Sequence, residues 1–519
     1  MDELPPAFAQ LLRTNDPPEP SQLEAIRREI RILDANDELE APNSIQQMKQ
    51  KRQAYAFLSA PIRRVPLDIV GEILAAAIQD STIGKAENRK ELIRLCLVCR
   101  TWREAALATH RLWATFDVTV NGLSTWTHSL SHSAENWLNR SGTVSKTLKI
   151  MALKGHFCGG RHNECAHLAT PALAKLLVLG PPIAELSLRS SYSSCFVQLI
   201  RQVRRMKVTD NGSWSGIRTL KLALHTIWDE FPIGQNATLD MDEDIDTLPT
   251  SIFQHLPHIT SFHLELPSMP DGEDEEFGLV IPEELLARLT DFSLVCDWEV
   301  TKVLTALKSC QAVEKLTLNL LESDVYTSSG AESTKILGDM LETNIILPKL
   351  RALHMWGMYA DGLEYLRYLQ APCLDTLHLH FAESNLTQIV LDEIWSDAEF
   401  EFRRPRYIEE FIRRSGCKPN LRDLRISNLH ISAKVLRPLL IKECPLLRRL
   451  TLESLDFNSK LFLKLQADPV LPFLQTLVLR DMLHDGFDFD HVRAFADGRK
   501  LLRNADGSML PPLHIVLDD

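Results

Sequence analysis

No apolar run in this sequence approaches the ~20 residues that a helix needs to cross a bilayer. The opening Met1-Asp2-Glu3-Leu4-Pro5-Pro6 has neither the basic start nor the apolar stretch of an export leader. Cysteine is sparse, 10 in 519 residues, which does not make a disulfide scaffold. Together these absences lead to the expectation of an intracellular chain, in cytoplasm or nucleus, with reduced thiols. Positive charge is also in deficit, the formal net charge being -12. A general nucleic-acid binder would show a basic stripe. The expectation is therefore no nucleic-acid partner and no anionic membrane partner. Gly159-Gly160 lacks the following Lys-Ser/Thr of a phosphate loop. No Gly-x-Ser-x-Gly elbow is present, and serines, histidines and carboxylates are not paired at informative spacing. The sequence implies no cofactor and no catalytic residue.

What is present fits a soluble chain of more than one folding unit. Apolar content is 45% and charged content 24%. Acid runs at residues 240–246 and 271–276 read as solvated loops. In an N-terminal segment, residues 1–56, Leu23, Ile26, Ile30 and Leu33 make one helical stripe that Pro42 interrupts. Ile45, Met48, Tyr55 and Leu58 make another. A second unit over residues 57–117 holds three short helices. Leu67, Val70, Ile73, Leu74 and Ala77 mark the first, with Pro66 suited to its first turn. Leu92, Leu95, Val98, Cys99 and Trp102 mark the second. Ala105 and Ala106 lead through a third to Leu112 and Trp113. So small a module buries little surface alone, and a partner would complete it. A helical bridge is expected over 118–143.

From residue 144 to 519 the pattern is apolar-x-x-apolar-x-apolar. It occurs at Ile183, Leu186, Leu188, then Ile217, Leu220, Leu222, then Ile259, Phe262, Leu264, then Leu289, Phe292, Leu294. Val313, Leu316, Leu318 come next, then Leu350, Leu353, Met355, then Leu374, Leu377, Leu379. The last sets are Leu421, Leu424, Ile426, then Leu447, Leu450, Leu452, then Leu474, Leu477, Leu479. This is a leucine-rich-repeat signature, one strand plus a helix per repeat. One repeat cannot bury its own edge, so neighbours stack into a curved solenoid. The alternative is a conventional α/β domain with buried strands. The expected fold class is α/β: N-terminal helices and a three-helix module, then the solenoid.

Residues between the consensus positions point out of the strand face. They supply Arg189, Lys221, His263, Lys315, His354, Trp356, His378, His380, Arg425, Arg449 and Arg480. Such a face suits an acidic or phosphorylated target segment, or is an ordinary solvated surface. His156, Cys158, His162, Cys165 and His167 hold enough ligands for zinc, or form a surface loop. Cys96 and Cys99 lack a second pair and read as core or interface.

Residues 57–117 resemble an F-box. The marks are Pro61-Ile62-Arg63-Arg64-Val65-Pro66-Leu67-Asp68-Ile69-Val70, then Leu97-Val98-Cys99-Arg100-Thr101-Trp102-Arg103, then Arg111-Leu112-Trp113. The arrangement from Thr14-Asn15-Asp16-Pro17-Pro18 to Trp137-Leu138-Asn139-Arg140-Ser141-Gly142 is similar to F-box proteins of mushroom-forming fungi. Asp68 stands where that family usually carries Glu, and the loop over 79–90 is longer than in a minimal F-box. The resemblance implies binding to the Skp adaptor of a cullin ligase. It makes Pro66, Leu67, Ile69, Val70, Ile73, Val98, Cys99, Trp102, Leu112 and Trp113 contact or supporting residues. The alternative is that Ile73, Cys99 and Trp102 form the module's own core. The implied function is a substrate-receptor subunit of an SCF-type ubiquitin ligase with an unknown target, or else a repeat scaffold that binds without ubiquitination.

Overall fold

The computed structural model describes residues 4–14, 17–36, 42–79, 85–120, 126–152, 168, 170–206, 213–226, 252–266, 281–298, 300–320, 331–382, 406–429, 431–467, 471–483, 486–500 and 512–518. They form two compact units, one of residues 1–119 with 128–149, the other of 120–127 with 150–519.

The first unit begins with α1 (Pro6–Thr14), α2 (Pro20–Asn36) and α3 (Pro42–Ser59). Each starts on a proline, whose missing N–H is no loss in a first turn. Pro42 therefore opens α3. Phe8, Ile26, Tyr55 and Leu58 form the core of this group, with Leu11, Ile30 and Leu33 packed against it. Arg63, in the short turn after α3, ties back to this group by donating from Nη1 to the Leu11 carbonyl at 3.0 Å.

Next come α4 (Leu67–Gln79), α5 (Lys85–Cys96), α6 (Arg100–Ala108) and a 3-10 turn, His110–Trp113. The second of these helices is shorter than its apolar spacing suggests. Leu97 and Val98 close tight turns onto the Arg94 and Leu95 carbonyls. Cys99 is fully extended, at φ -161° and ψ 174°, as the residue before α6. Val98 and Cys99 thus lie in a link, and Trp102 belongs to the third helix. Val70, Leu74, Leu92, Ala105 and Ala106 make the shared core.

A Cβ at Gly71 would overlap the Thr109 hydroxyl, which donates to the Ala105 carbonyl at 2.8 Å. Alanine normally gains about 1 kcal/mol over glycine inside a helix. Here the overlap opposes that gain, as overpacking costs about 1–3 kcal/mol. Gly71→Ala is expected to lower the melting temperature, and adding Thr109→Ala to restore it. A stabilised single variant would contradict this packing.

Residues 118–143, expected as a helical bridge, hold the end of β1 (Thr115–Val120) and one helix, α7 (His128–Asn139). Trp137 packs against Trp113 with centroids 4.6 Å apart and the ring planes tilted by 60°. Its Nε1 donates to the Thr115 carbonyl at 3.0 Å. Strand β2 (Thr147–Ala152) comes next.

The second unit is built on a large parallel sheet. Its strands are β3 (Glu185–Tyr192), β4 (Thr219–Thr226), β5 (Ser261–Glu265), β6 (Asp291–Val295), β7 (Lys315–Asn319), β9 (Ala352–Met358) and β11 (Thr376–Phe381). They continue as β12 (Asp423–Ser427), β13 (Arg449–Glu453), β14 (Thr476–Arg480) and β15 (His514–Asp518). Each lies beside its successor. The pair β8 (Ile345–Ile346) and β10 (Leu369–Gln370) forms a separate two-stranded sheet. All ten apolar sets enter the sheet in one register, so that Leu353, Leu377, Leu424, Leu450 and Leu477 sit side by side. The first residue of every set is at most 1% exposed. β15 lies outside the ten sets. Its apolar pair, Ile515 and Leu517, continues the column, but Pro512 stands where the leading apolar residue should be.

Helices cover the other side, among them α8 (Pro171–Leu179), α9 (Ser193–Arg205), α10 (Glu283–Arg288) and α11 (Val300–Lys308). The strand exits share one device. The fifth residue after the start of β9, β12, β13 and β14 is Gly357, Asn428, Ser454 or Asp481, each at positive φ. The Asn428 N–H reaches the Glu453 carbonyl and the Ser454 N–H the Arg480 carbonyl, both at 2.9 Å. Asn428 tolerates the left-handed turn because a short amide can bond locally. Its Nδ2 donates to the buried Phe381 carbonyl at 3.1 Å.

Candidate protein-interaction surfaces

In the first unit the expected contact residues separate into two groups. Leu67, Ile69, Ile73 and Val98 are 42%, 47%, 43% and 58% exposed. Pro66 is exposed as well. Val70 and Trp113 are 1% and 2% exposed and belong to the core. Trp113 donates from Nε1 to the Ala106 carbonyl at 2.7 Å, and the Arg140 guanidinium lies 4.7 Å over its ring. These two residues support the surface from beneath and do not form it. Cys99, Trp102 and Leu112 are half-buried. Leu97 and Ile93, 68% and 50% exposed, extend the patch beyond the residues that the sequence pointed to. Leu97 lies beside Val98 in the link, where no helical face turns it inward. Ile69 and Ile73 are four residues apart on α4, so they share one face. Aliphatic side chains left in water on so small a module are the mark of an interface.

In the second unit the eleven expected target residues fall on three rows of one strand face. Lys315 and Arg449 occupy the first row. Lys221, His263, His354, His378 and Arg425 occupy the second. Arg189, Trp356, His380 and Arg480 occupy the third. At the centre, His354 and His378 stack at 4.5 Å with 6° between their planes. Trp356 and His380 stack at 5.0 Å, and Arg425 lies 5.7 Å from the Trp356 ring.

The face is less basic than its chosen residues suggested. The same rows carry Glu185, Glu265, Asp291, Asp423 and Glu453. Arg425 Nη2 meets Glu453 Oε2 at 2.5 Å. Lys221 meets Glu185 at 2.7 Å, and Arg189 meets Glu265 at 3.6 Å. His378 Nε2 stands 3.4 Å from Asp423 Oδ1. Burial raises the proton affinity of the Glu453 carboxyl, but bonds from Arg425 and Ser427 outweigh it and hold the pKa below its ordinary value. The face is mixed in charge, with Arg189, Lys221 and Arg425 paired to carboxylates around an aromatic centre.

His354 illustrates the electrostatics. Burial, then His378 and Lys315, lower its pKa from 6.5 to about 4. Its folded pKa is depressed, so the neutral form favours folding, and protonation opposes it. That contribution is present above pH 6.5 and is lost as the pH falls towards 4. Imidazole NMR should show His354 still neutral at about pH 5.5, and His354→Phe should flatten the fall in stability between those values. A protonated His354 near neutrality would contradict the stacking geometry.

Ser459, His491 and Asp488 have the membership of an acyl-transfer triad. The Ser459 Oγ lies 2.9 Å from His491 Nδ1, and His491 Nε2 is 3.5 Å from Asp488 Oδ2. Yet Ser459 is 2% exposed, and its Oγ accepts the Asp488 N–H at 3.0 Å. The hydroxyl ties together two chain segments that each precede a helix, and a substrate carbonyl has no approach to it. Cys96 is half-buried, and burial pushes its thiol pKa up. The His156, Cys158, His162, Cys165 and His167 stretch lies outside the described residues. Among the described residues no helix is long and apolar enough to cross a membrane.

A family model described as F-box-like matches residues 65–119. A search of curated proteins finds no match.

Proposed function

We propose that this chain is the substrate-receptor subunit of an SCF-type ubiquitin ligase. The observation that carries the reading is the F-box-like domain at residues 65–119. Such domains generally bind the Skp adaptor within a cullin ligase. The exposed Leu67, Ile69, Ile73 and Val98 suit that contact, with Val70 and Trp113 fixing the helices that present them. Apolar anchors at the centre of a patch supply most of the energy of a protein interface.

In this reading the parallel array is a curved leucine-rich-repeat solenoid, and the N-terminal arrangement is that of the fungal group. The strand face takes the target. The paired rings of His354, His378, Trp356 and His380 are its centre, because planar side chains lose little freedom on binding. Lys315, His263, Arg449 and Arg480 border it. The chain performs no chemistry. It holds a target near a charged conjugating enzyme, and tethering raises the effective concentration. It works in cytoplasm or nucleus, with no nucleic-acid or membrane partner.

The alternative is a repeat scaffold that binds the adaptor without ubiquitination. Purification of the tagged chain from cells tests the two. Recovery of both Skp adaptor and cullin is expected. Skp adaptor without cullin would favour the scaffold.

A further inference from the structure

The second unit carries another concentration of positive charge, on its helix side. α9 buries Phe196, Leu199, Ile200 and Val203 and ends in Arg201, Arg204 and Arg205. Among the described residues none of these three arginines has a carboxylate partner. Arg201 Nε and Nη2 are shielded from water and make no hydrogen bond. Burial, then the neighbouring Arg205, lower the Arg201 pKa.

Beside this helix end lies an open cleft of about 330 Å³, with Ile200, Val203, Arg204, Trp214, His255 and His258 among its walls. Arg204 belongs to that lining, and Arg288 and Arg218 bond to residues of it. Arg204 Nη1 lies 3.1 Å from His255 Nε2. Arg288 Nη1 lies 3.0 Å from His258 Nδ1, and its Nη2 donates to the Pro257 carbonyl at 2.9 Å. Arg218 Nη1 donates to the Ser215 and His258 carbonyls, each at 3.3 Å. An arginine can only donate, so each imidazole turns an accepting nitrogen to the guanidinium that faces it. Among the described residues, positive charge is thus gathered and partly desolvated with no carboxylate paired to it. Such an arrangement is unfavourable by itself. A dianionic group relieves it, and the guanidinium fork matches a phosphate in two parallel bonds.

We propose that this cleft binds a phosphorylated, acidic segment of the target protein. The apolar wall of Ile200, Val203 and Trp214 suits a side chain flanking the phosphate. A peptide fits better than a nucleic acid or a membrane. The whole chain carries -12, which repels an extended polyanion or an anionic surface, whereas a short segment feels the local arginines within a Debye length. The strand face, where Arg189, Lys221 and Arg425 are already paired, then supplies packing, and the cleft supplies the charge recognition. The inference rests on the substrate-receptor reading only in calling the segment part of a target.

The test uses the full chain and a fluorescein-labelled peptide pool with phosphoserine fixed between acidic residues. Serine peptides, single-stranded RNA and phosphatidylserine vesicles are run beside it. Anisotropy should show the phosphorylated pool binding at least tenfold more tightly than the serine pool, with inorganic phosphate competing. Arg204→Gln should weaken it about tenfold, Arg204→Glu more, and Lys464→Glu, at an exposed position of the helix over Lys460–Ala467, little, with unchanged thermal melts in all three. No binding by the wild type, no loss in folded Arg204→Gln, or Arg204-dependent capture of RNA or vesicles in place of the peptide would overturn the proposal. Skp-adaptor binding is measured on the same samples. A chain that binds adaptor but no phosphopeptide sinks this inference alone. One that binds phosphopeptide through Arg204 but no adaptor keeps the site and removes the ligase reading.

Discussion

Leu424→Ala is expected to destabilise the array by about 3–5 kcal/mol. Leu424 is fully buried and pairs in register with Leu377 on one side and Leu450 on the other. Truncation removes the transfer free energy of the lost atoms and leaves a cavity. The walls of that cavity are leucines held by two backbone ladders, so they cannot close in. In a stacked array each unit is stabilised by its neighbours, and a defect in the middle weakens both. Urea denaturation measures the loss. Leu463→Ala, at a position 37% exposed, should change stability by well under 1 kcal/mol. A small effect at Leu424 would mean that the leucine columns are not the core.

These columns were legible in the sequence because a one-three-two spacing leaves little freedom. Leu421, Leu424 and Ile426 can all be buried at once only if a turn delivers a short strand. The last strand was hidden by Pro512, which breaks the spacing while leaving Ile515 and Leu517 able to pair. The strand exits were hidden too. Asn428, Ser454 and Asp481 adopt a conformation usually signalled by glycine. The end of α5 escaped because Val98 and Cys99 keep helical spacing although Val98 lies in a turn and Cys99 is extended.

The charge of the strand face shows a different limit. Lys221, Arg425 and Arg189 were recognisable as outward-facing, but their carboxylates come from other strands. Arg189 on β3 reaches Glu265 on β5 across Ala223, whose small side chain leaves the way open. No local pattern reveals such a pair. Local pattern also gave no sign of the cleft beside α9, since Arg204 in its lining and the Arg218 and Arg288 that bond to that lining come from three separate segments.

The second large effect is expected in the F-box-like domain. A Leu67→Asp, Ile69→Asp double variant should lose Skp-adaptor affinity by about 100-fold or more, since two apolar anchors together exceed about 2.7 kcal/mol. Both side chains are exposed, at 42% and 47%, so thermal stability should change little. Val70→Asp should behave in the opposite order. Val70 is 1% exposed, and a charge there is buried without a partner, so this variant should fail to fold. A double variant that unfolds would place Leu67 and Ile69 in the core. One that folds and binds normally would place the adaptor contact elsewhere.

The most direct test is the affinity of the folded wild-type chain for the purified Skp adaptor. Calorimetry should give a saturable one-to-one complex that goes on to retain the cullin. A chain that circular dichroism shows to be folded, yet gives no heat and no co-elution with the adaptor, would contradict the ligase reading.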